Sequence, residues 1–366
     1  MSAGRSGHAA SRVGIDVGPL RPDPSGVGVY VAELAAAMEA IAPERVLRIG
    51  ERRQPSQSAS RLRDGLRYHL GWILTEADAE ARASACALAH YTNAVAPPRA
   101  SVPFVVSIHD LSVLRLPRHH PYRRLVTAPF VLLASRRARR VIVPSLATAD
   151  EVRRLLRVPH ARIDVVPLAA RRMRLSADGE TVLDRLGLRA GGYILALGTV
   201  EPRKNYITLL GAFERIDRRQ DFRLVIVGDR GWRNGAFWRA LDRSPARDRV
   251  IIAGRQPDGS IAALLRHCAV LAYPSLYEGF GLPILEAMAA GVPVVTSDRS
   301  SMPEVAGGAA VLVDPLDERS IAAGIVEALD RREELAAAGV DRAGRRTWLD
   351  VARDTLTVYD RALADA

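Results

Sequence analysis

The sequence predicts an α/β protein made of two doubly wound, parallel-sheet domains, and three observations support this. Its 366 residues exceed one ordinary compact domain and suit two of about 150 to 200 residues, each with its own core. Short apolar runs alternate with helical patterns along most of the chain, as in a parallel sheet covered on both faces. The alternation lapses once, after Pro167, in an Arg- and Ser-containing stretch that lasts to about Thr181. The expected division is 1–175, 176–345 and a terminal helix, 346–366, that crosses back to the first domain. Two such domains would face each other across a central cleft lined by the carboxyl ends of their strands.

The elements follow in order. Val13 to Val17 is an apolar strand, followed by a Pro/Gly-rich loop from Gly18 to Gly28 and an Ala-rich helix from about Val29 to Ala40. Further strands are expected at Arg45–Ile49, Ala87–Tyr91, Phe104–Ile108, Arg140–Val143 and Ile163–Val166, with a helix at Ala147–Leu156. The second half resumes with strands at Tyr193–Leu197, Phe222–Val227, Val250–Ala253, Val270–Ala272, Val292–Thr296 and Ala310–Val313. From about Arg319 the chain reads as helical, with a break expected near Gly339 to Gly344. No short fixed period recurs, which argues against a solenoid.

Composition removes several classes. No run of eighteen uncharged apolar residues exists to span a bilayer. The polar first dozen residues lack the apolar core of a signal peptide and read as a tail, so a cytoplasmic location is expected. Cys86 and Cys268 resemble neither a disulfide framework nor a metal cluster, and are expected to be small core residues. The net charge of +11 does not by itself choose among nucleic acid, anionic lipid and a phosphorylated substrate. A basic nucleic-acid-binding protein is the rival from another class, but no nucleic-acid-binding motif is present.

The placement of charge is more informative. Lys204 is the only lysine among 52 basic lysine and arginine residues. One compact ammonium kept in an arginine-written sequence points to a geometric need that a guanidinium does not meet. It lies in GTVEPRKN, Gly198 to Asn205, directly after a strand, where Arg203 and Lys204 together could neutralise a diphosphate and stabilise its departure. A solvated surface pair is the plain alternative. The segment YPSLYEGFGLPILEAMAAGVPVVT, Tyr273 to Thr296, is a glycine loop feeding a helix. Gly279 and Gly281 allow close backbone approach and Pro283 suits the first helical turn, so the helix end offers unpaired N–H groups to a phosphate. Glu278 in the loop and Glu286, placed in the first turn, read as acceptors for sugar or ribose hydroxyls rather than phosphate partners. For Glu286 alone, a helix-dipole role is equally good.

Three weaker signals remain. Ser25, Gly26, Val27 and Gly28 form a glycine turn without the full dinucleotide-binding fingerprint. His109 and Asp110 follow the strand Phe104–Ile108 and would project from its carboxyl end, with Asp110 a candidate to orient the imidazole. Arg115, Arg118, Arg123, Arg124, Arg136, Arg137, Arg139 and Arg140 flank the apolar run Leu125 to Ala134. This reads first as a core helix with solvated ends and second as a surface for anionic membrane. Trp232, Phe237 and Trp238, near Arg230 and Arg233, read as packed aromatics before stacking partners for a base or sugar.

The string from Glu278 to Glu286 resembles the paired-acid signature of glycosyltransferase family 4. The resemblance runs from Tyr193 to Pro315, including SDRSSMPEVAGGAAVLVDP, and more loosely over the N-terminal half. It implies a GT-B fold, with an acceptor-binding first domain and a nucleotide-sugar-binding second domain. It implies a retaining hexosyltransferase using a GDP- or UDP-sugar, with a saccharide, glycolipid or small-molecule acceptor and neither metal nor nucleic acid. IHDLS and the downstream serine-rich segment look most like bacterial mannosyltransferases of polysaccharide biosynthesis that use GDP-mannose. His109, Arg203, Lys204 and Glu278 would then be catalytic. Gly26, Gly28, Gly198, Arg203, Lys204, Glu278, Gly279, Phe280, Gly281, Leu282 and Glu286 would bind the donor, and His109 would meet a hydroxyl of the transferred sugar. A 2-epimerase, a phosphorylase or an inactive partner subunit of the same fold are further readings.

Overall fold

A computed structural model describes residues 12–20, 26–51, 71–116, 121–216 and 221–365. Two compact units emerge: Met1–Leu168 with Trp348–Ala366, and Ala169–Thr347. The chain therefore leaves the first unit, builds the second, and returns for its last helix.

The first unit holds a six-stranded parallel sheet in the order β2-β1-β3-β4-β5-β6. Its strands are β1 (Val13–Asp16), β2 (Val46–Ile49), β3 (Leu88–Tyr91), β4 (Phe104–Ser107), β5 (Arg140–Val143) and β6 (Ile163–Val165). Strands β1, β3 and β4 are buried at all four positions, which is why they read as continuous apolar runs rather than as alternation. Helix α1 (Gly26–Ile41) turns Leu34 and Met38 into the core. It begins earlier than the sequence suggests: Gly26 and Gly28 lie in its first turn, not in a loop before it. Residues 21–25, including Ser25, lie outside the described residues. The helix expected at Ala147–Leu156 starts at Leu146, capped where Ser145 accepts the Thr148 N–H at 3.1 Å. It finishes in a wider, π-type turn closed by Arg157 at φ 57°.

The second unit has its own parallel sheet, ordered β12-β11-β10-β7-β8-β9. Its strands are β7 (Tyr193–Leu197), β8 (Arg223–Val227), β9 (Val250–Gly254), β10 (Val270–Tyr273), β11 (Val294–Ser297) and β12 (Val311–Val313). Helices α2 (Tyr206–Arg215), α3 (Leu282–Ala289), α4 (Glu318–Asp330) and α5 (Arg332–Gly344) belong to this unit. The helix α6 (Trp348–Ala364) belongs to the first.

The break expected between Gly339 and Gly344 falls at the end of that range: α5 runs through Gly339 and stops at Gly344, before α6 begins at Trp348. A Cβ at Gly339 would lie 3.1 Å from Met288 Cγ, so this glycine lets α5 lie close on α3 and does not interrupt the helix. Cys86 and Cys268 are free, buried thiols. Among the described residues no helix is long and apolar enough to cross a membrane.

Candidate active site

In the second sheet, strand order reverses between β7 and β10. Connections leaving those two strands go opposite ways and open a crevice at their carboxyl ends, the place where open α/β sheets bind ligands. The two motifs singled out in the sequence leave the sheet at this point. GTVEPRKN follows β7, and the loop bearing Glu278 follows β10.

Lys204 and Glu278 are both buried, 8% and 7% exposed. A buried charge requires an opposite charge and hydrogen bonds, and each has them. Lys204 Nζ donates to Glu278 Oε1 at 2.7 Å and to the Tyr273 hydroxyl at 2.5 Å. Arg203 Nη1 reaches Glu278 Oε2 and also donates to the Tyr277 carbonyl at 3.0 Å. Its Nε and Nη2 grip Glu201 Oε1 at 3.0 and 2.7 Å. Burial pushes the Glu278 carboxyl up, but the Arg203 and Lys204 charges outweigh it and hold it down at about 2. Burial pulls the Lys204 ammonium below the usual lysine range against the attraction of Glu278.

The backbone explains why these side chains meet. Gly198 has φ 135°, and a Cβ there would stand 2.7 Å from Lys204 Cε, so the lysine stem lies where a side chain would otherwise be. Asn205, left-handed at φ 62°, ends the turn and ties it to the other loops through the Pro274 and Pro315 carbonyls, at 3.1 and 2.6 Å. The Glu278 carbonyl accepts from Ser300 and Ser301 hydroxyls at 2.5 and 2.9 Å, and Ser301 also reaches the Phe280 carbonyl at 2.8 Å. The serines of SDRSSMPE thus hold the glycine loop in shape. Gly281 precedes α3 at φ 109° and Pro283 sits in its first turn, while Phe280 is buried.

Glu286 does not join this cluster. It lies in the second turn of α3 rather than the first, where its Oε1 accepts from Arg171 Nε at 3.2 Å. Arg171 also holds Asp258 Oδ2 at 2.6 Å. The aromatic group is mostly packing, with the Phe237 and Trp238 rings edge-on at 5.2 Å. Phe237 is core, Arg230 lies over Trp238 at 4.6 Å, Trp232 is 39% exposed, and Arg233 is exposed.

His109 is in the first unit, just beyond β4, and half-buried. Its Nε2 lies 2.8 Å from the Thr92 carbonyl. A carbonyl only accepts, so Nε2 carries the proton and Nδ1 is an acceptor. Burial lowers the imidazole pKa and keeps it neutral. Asp110 does not orient this ring. It caps the next helical turn, accepting from the Ser112 N–H and hydroxyl at 2.9 and 2.7 Å. At Gly26, in the first turn of α1, an added Cβ would meet no atom within 4 Å.

Among the arginines after Arg115, Arg139 binds the Ala362 carbonyl at 2.8 Å and Arg140 binds Asp164 at 2.5 Å, so these two tie elements of the first unit together. Arg118 and the side chains of Arg123 and Arg124 lie outside the described residues.

Sequence reasoning missed Glu201, Tyr273, Arg171 and His90. Glu201 lies within the motif that was read, two residues from the arginine it serves. Tyr273 likewise opens the second motif, while Arg171 and His90 meet partners far away in sequence and carry no local signal.

Two six-stranded parallel sheets, the second with Arg203 and the buried Lys204 at its strand-order reversal, are the architecture of a GT-B glycosyltransferase. Comparison with known proteins agrees. Residues 189–343 match the model of "Glycosyl transferases group 1" and residues 24–170 that of "Glycosyltransferase Family 4". The chain is similar to O-antigen chain mannosyltransferase B of Escherichia coli, 35% identical over 264 residues, which is 70% of this chain and 69% of that protein. It is also similar to an MMP α-(1→4)-mannosyltransferase of Mycolicibacterium hassiacum, 33% identical over 64% of this chain and 58% of that one. Among solved structures, sucrose-phosphate synthase from Thermosynechococcus elongatus superposes with a TM-score of 0.73 at 21% identity, covering 97% of this chain and all of that one (100%). Anabaena HepE with UDP and glucose gives 0.73 at 17%, covering 96% and 99%. The chain belongs to glycosyltransferase family 4.

Proposed function

We propose that this glycosyltransferase moves a mannosyl residue, with retention, from GDP-mannose to a hydroxyl of a saccharide or glycolipid acceptor, and does so without a metal. The observation that carries the reading is the Arg203–Lys204 pair at the β7/β10 reversal. Two cations there can hold a diphosphate and stabilise it as it leaves, and the mannose assignment leans on the names of the two relatives. Lys204 has three N–H donors, of which Glu278 and Tyr273 take two, leaving one for a phosphate oxygen. The N-terminal end of α3 adds backbone donors from Phe280, Gly281 and Leu282. Glu286 serves the ribose hydroxyls and Glu278 a hydroxyl of the transferred sugar. His109 Nδ1, with no partner among the described residues, accepts a hydrogen bond from another sugar hydroxyl. In the reaction the bond from the sugar's anomeric carbon to the diphosphate oxygen breaks, and one to the acceptor oxygen forms. The acceptor's proton passes to the departing diphosphate.

In this reading the first unit binds the acceptor, and contact with an anionic membrane would bring a glycolipid to it. The test is a thermal-shift panel of GDP, UDP, ADP and short DNA, followed by incubation with GDP-mannose and a mannose-terminated acceptor. A rise in Tm with GDP and a new mannosylated product are expected. A rise with UDP alone would move the donor to a UDP-sugar. A rise with DNA alone that vanishes at high salt would overturn the reading.

A further inference from the structure

A second histidine, His90, is wholly buried in the first unit and plays no part in the reaction just described. It lies at the centre of a chain of four hydrogen-bonding side chains from four different elements. Tyr30 of α1 meets Ser107 of β4 at 2.9 Å between oxygens. Ser107 Oγ meets His90 Nε2 of β3 at 2.8 Å, and His90 Nδ1 meets the Tyr359 hydroxyl of α6 at 2.7 Å.

The direction of every bond in this chain follows from one end. Tyr30 is 2% exposed, and Ser107 is its hydroxyl's only partner among the described residues. A buried hydroxyl proton without an acceptor is costly, so Tyr30 must donate. Ser107 then donates to His90 Nε2, leaving the imidazole proton on Nδ1, which donates to Tyr359. The Tyr359 proton points to Met38 Sδ, 3.7 Å away, a weak acceptor. Each proton has one place to go. An imidazolium would put two N–H groups into this chain and break it, and burial indeed pushes His90 down to about 3.

The chain ends beside His109. The Tyr30 ring stands edge-on to His109, with centroids 4.5 Å apart, and Ser107 is two residues before His109 on the same strand exit. Helix α6 acts on Tyr30 twice, through Tyr359 by way of the chain and through Trp348, whose ring centroid lies 6.4 Å away.

We infer that Tyr30, Ser107, His90 and Tyr359 form a positioning chain through which the C-terminal helix fixes the His109 imidazole for sugar recognition. His109 touching the sugar is part of the proposed function, and the inference rests on that reading. Tyr30 contributes a wall to the imidazole, and its hydroxyl stops the ring from sliding. None of the four need touch a substrate.

The test uses the full-length protein with 15N-labelled histidine. In the wild type His90 is expected as the Nδ1–H tautomer and His109 as the Nε2–H tautomer. Tyr359→Phe deletes one hydroxyl more than two helical turns into α6 and should shift the His109 ring resonances. With GDP-mannose as donor it should lower kcat about fivefold, the worth of one hydrogen bond, with donor KM unchanged. Unchanged His109 resonances together with unchanged kcat would overturn the inference, as would the opposite His90 tautomer. Should Tyr359→Phe not fold, Ser107→Ala cuts the chain at its middle and is read the same way. His109→Ala with normal turnover would instead defeat the role given to His109, while the resonance measurement would still judge the chain.

Discussion

Around the end of β7 in the second unit, the side chains that would meet a donor are ions already paired with one another. Arg203 and Lys204 face Glu201 and Glu278, two positive charges against two negative. Around β3 and β4 in the first unit the groups are neutral: hydrogen bonds link Tyr30, Ser107 and His90, and His109 is bonded to the Thr92 carbonyl. In the proposed reading, charge lies where a diphosphate would be held and released, and neutral polarity where hydroxyls would be sorted. The contrast corrects a simple view of the cation pair. It is not an excess of positive charge, because Glu201 and Glu278 balance it.

Removing Lys204 should break the charged side of this contrast most severely. Lys204→Ala leaves Glu278 buried with one partner fewer, at a cost of about 3 kcal/mol or more in stability. It should also reduce turnover about a thousandfold. Urea unfolding separates the two losses, and near-normal turnover in the folded fraction would end the catalytic assignment. Lys204→Arg should fare little better, because the stem crosses Gly198 where a forked head has no room.

Glu278→Gln sharpens the comparison, because it should lower turnover while strengthening product binding. With the balancing charge gone, GDP should bind roughly tenfold tighter at low salt, and the gain should shrink as salt rises. Calorimetry of GDP binding at two salt concentrations decides it. Weaker GDP binding would mean that Glu278 is not what offsets the cations.

Acid should distinguish the two units. Unfolded histidine takes up its proton near pH 6.5, whereas His90 resists until about 3. Between those values the unfolded chain binds the extra proton, so the first unit loses up to about 1.4 kcal/mol per pH unit as pH falls. Glu278, held down at about 2, contributes fully above the ordinary glutamate pKa near 4.3. Its contribution is lost only as pH falls from there toward 2. Native-state hydrogen exchange at pH 5 should therefore show loosening around β3 and β4 with no change around Glu278. Equal loosening of both would erase the distinction.

The smallest effect belongs to Gly339→Ala. Its Cβ crowds the flexible Met288 side chain, so a loss of about 1 kcal/mol is expected, read as a small fall in Tm with GDP binding unchanged.

The strands were legible because central parallel strands are buried on both faces, so Tyr193–Leu197 or Phe104–Ser107 stand out as apolar runs in any reading. Helix ends were less so. Gly26 and Gly339 read as loop and break because glycine's permissiveness is visible in sequence, whereas the neighbour that requires its small size is not. Within the site, Arg203, Lys204 and Glu278 could be read from two local motifs and the rarity of lysine. Their balance by Glu201 and Tyr273 could not, nor could Glu286's separate pairing with Arg171, because both depend on which loops the strand order brings together. Asp110 misled for the same reason: adjacency to His109 in sequence placed it beside a serine N–H. His90 was invisible, since its partner Tyr359 lies 269 residues away.

That separation has a consequence for how the protein is made. Residues Ala169–Thr347 form one uninterrupted stretch, so the second unit can close as soon as its own strands have left the ribosome. The first unit, whose strands precede those of the second, lacks α6 until residues 348–364 emerge. Until then Tyr30, His90 and Met38 wait beside an unfilled place, and the unit whose strands come first is completed after the other.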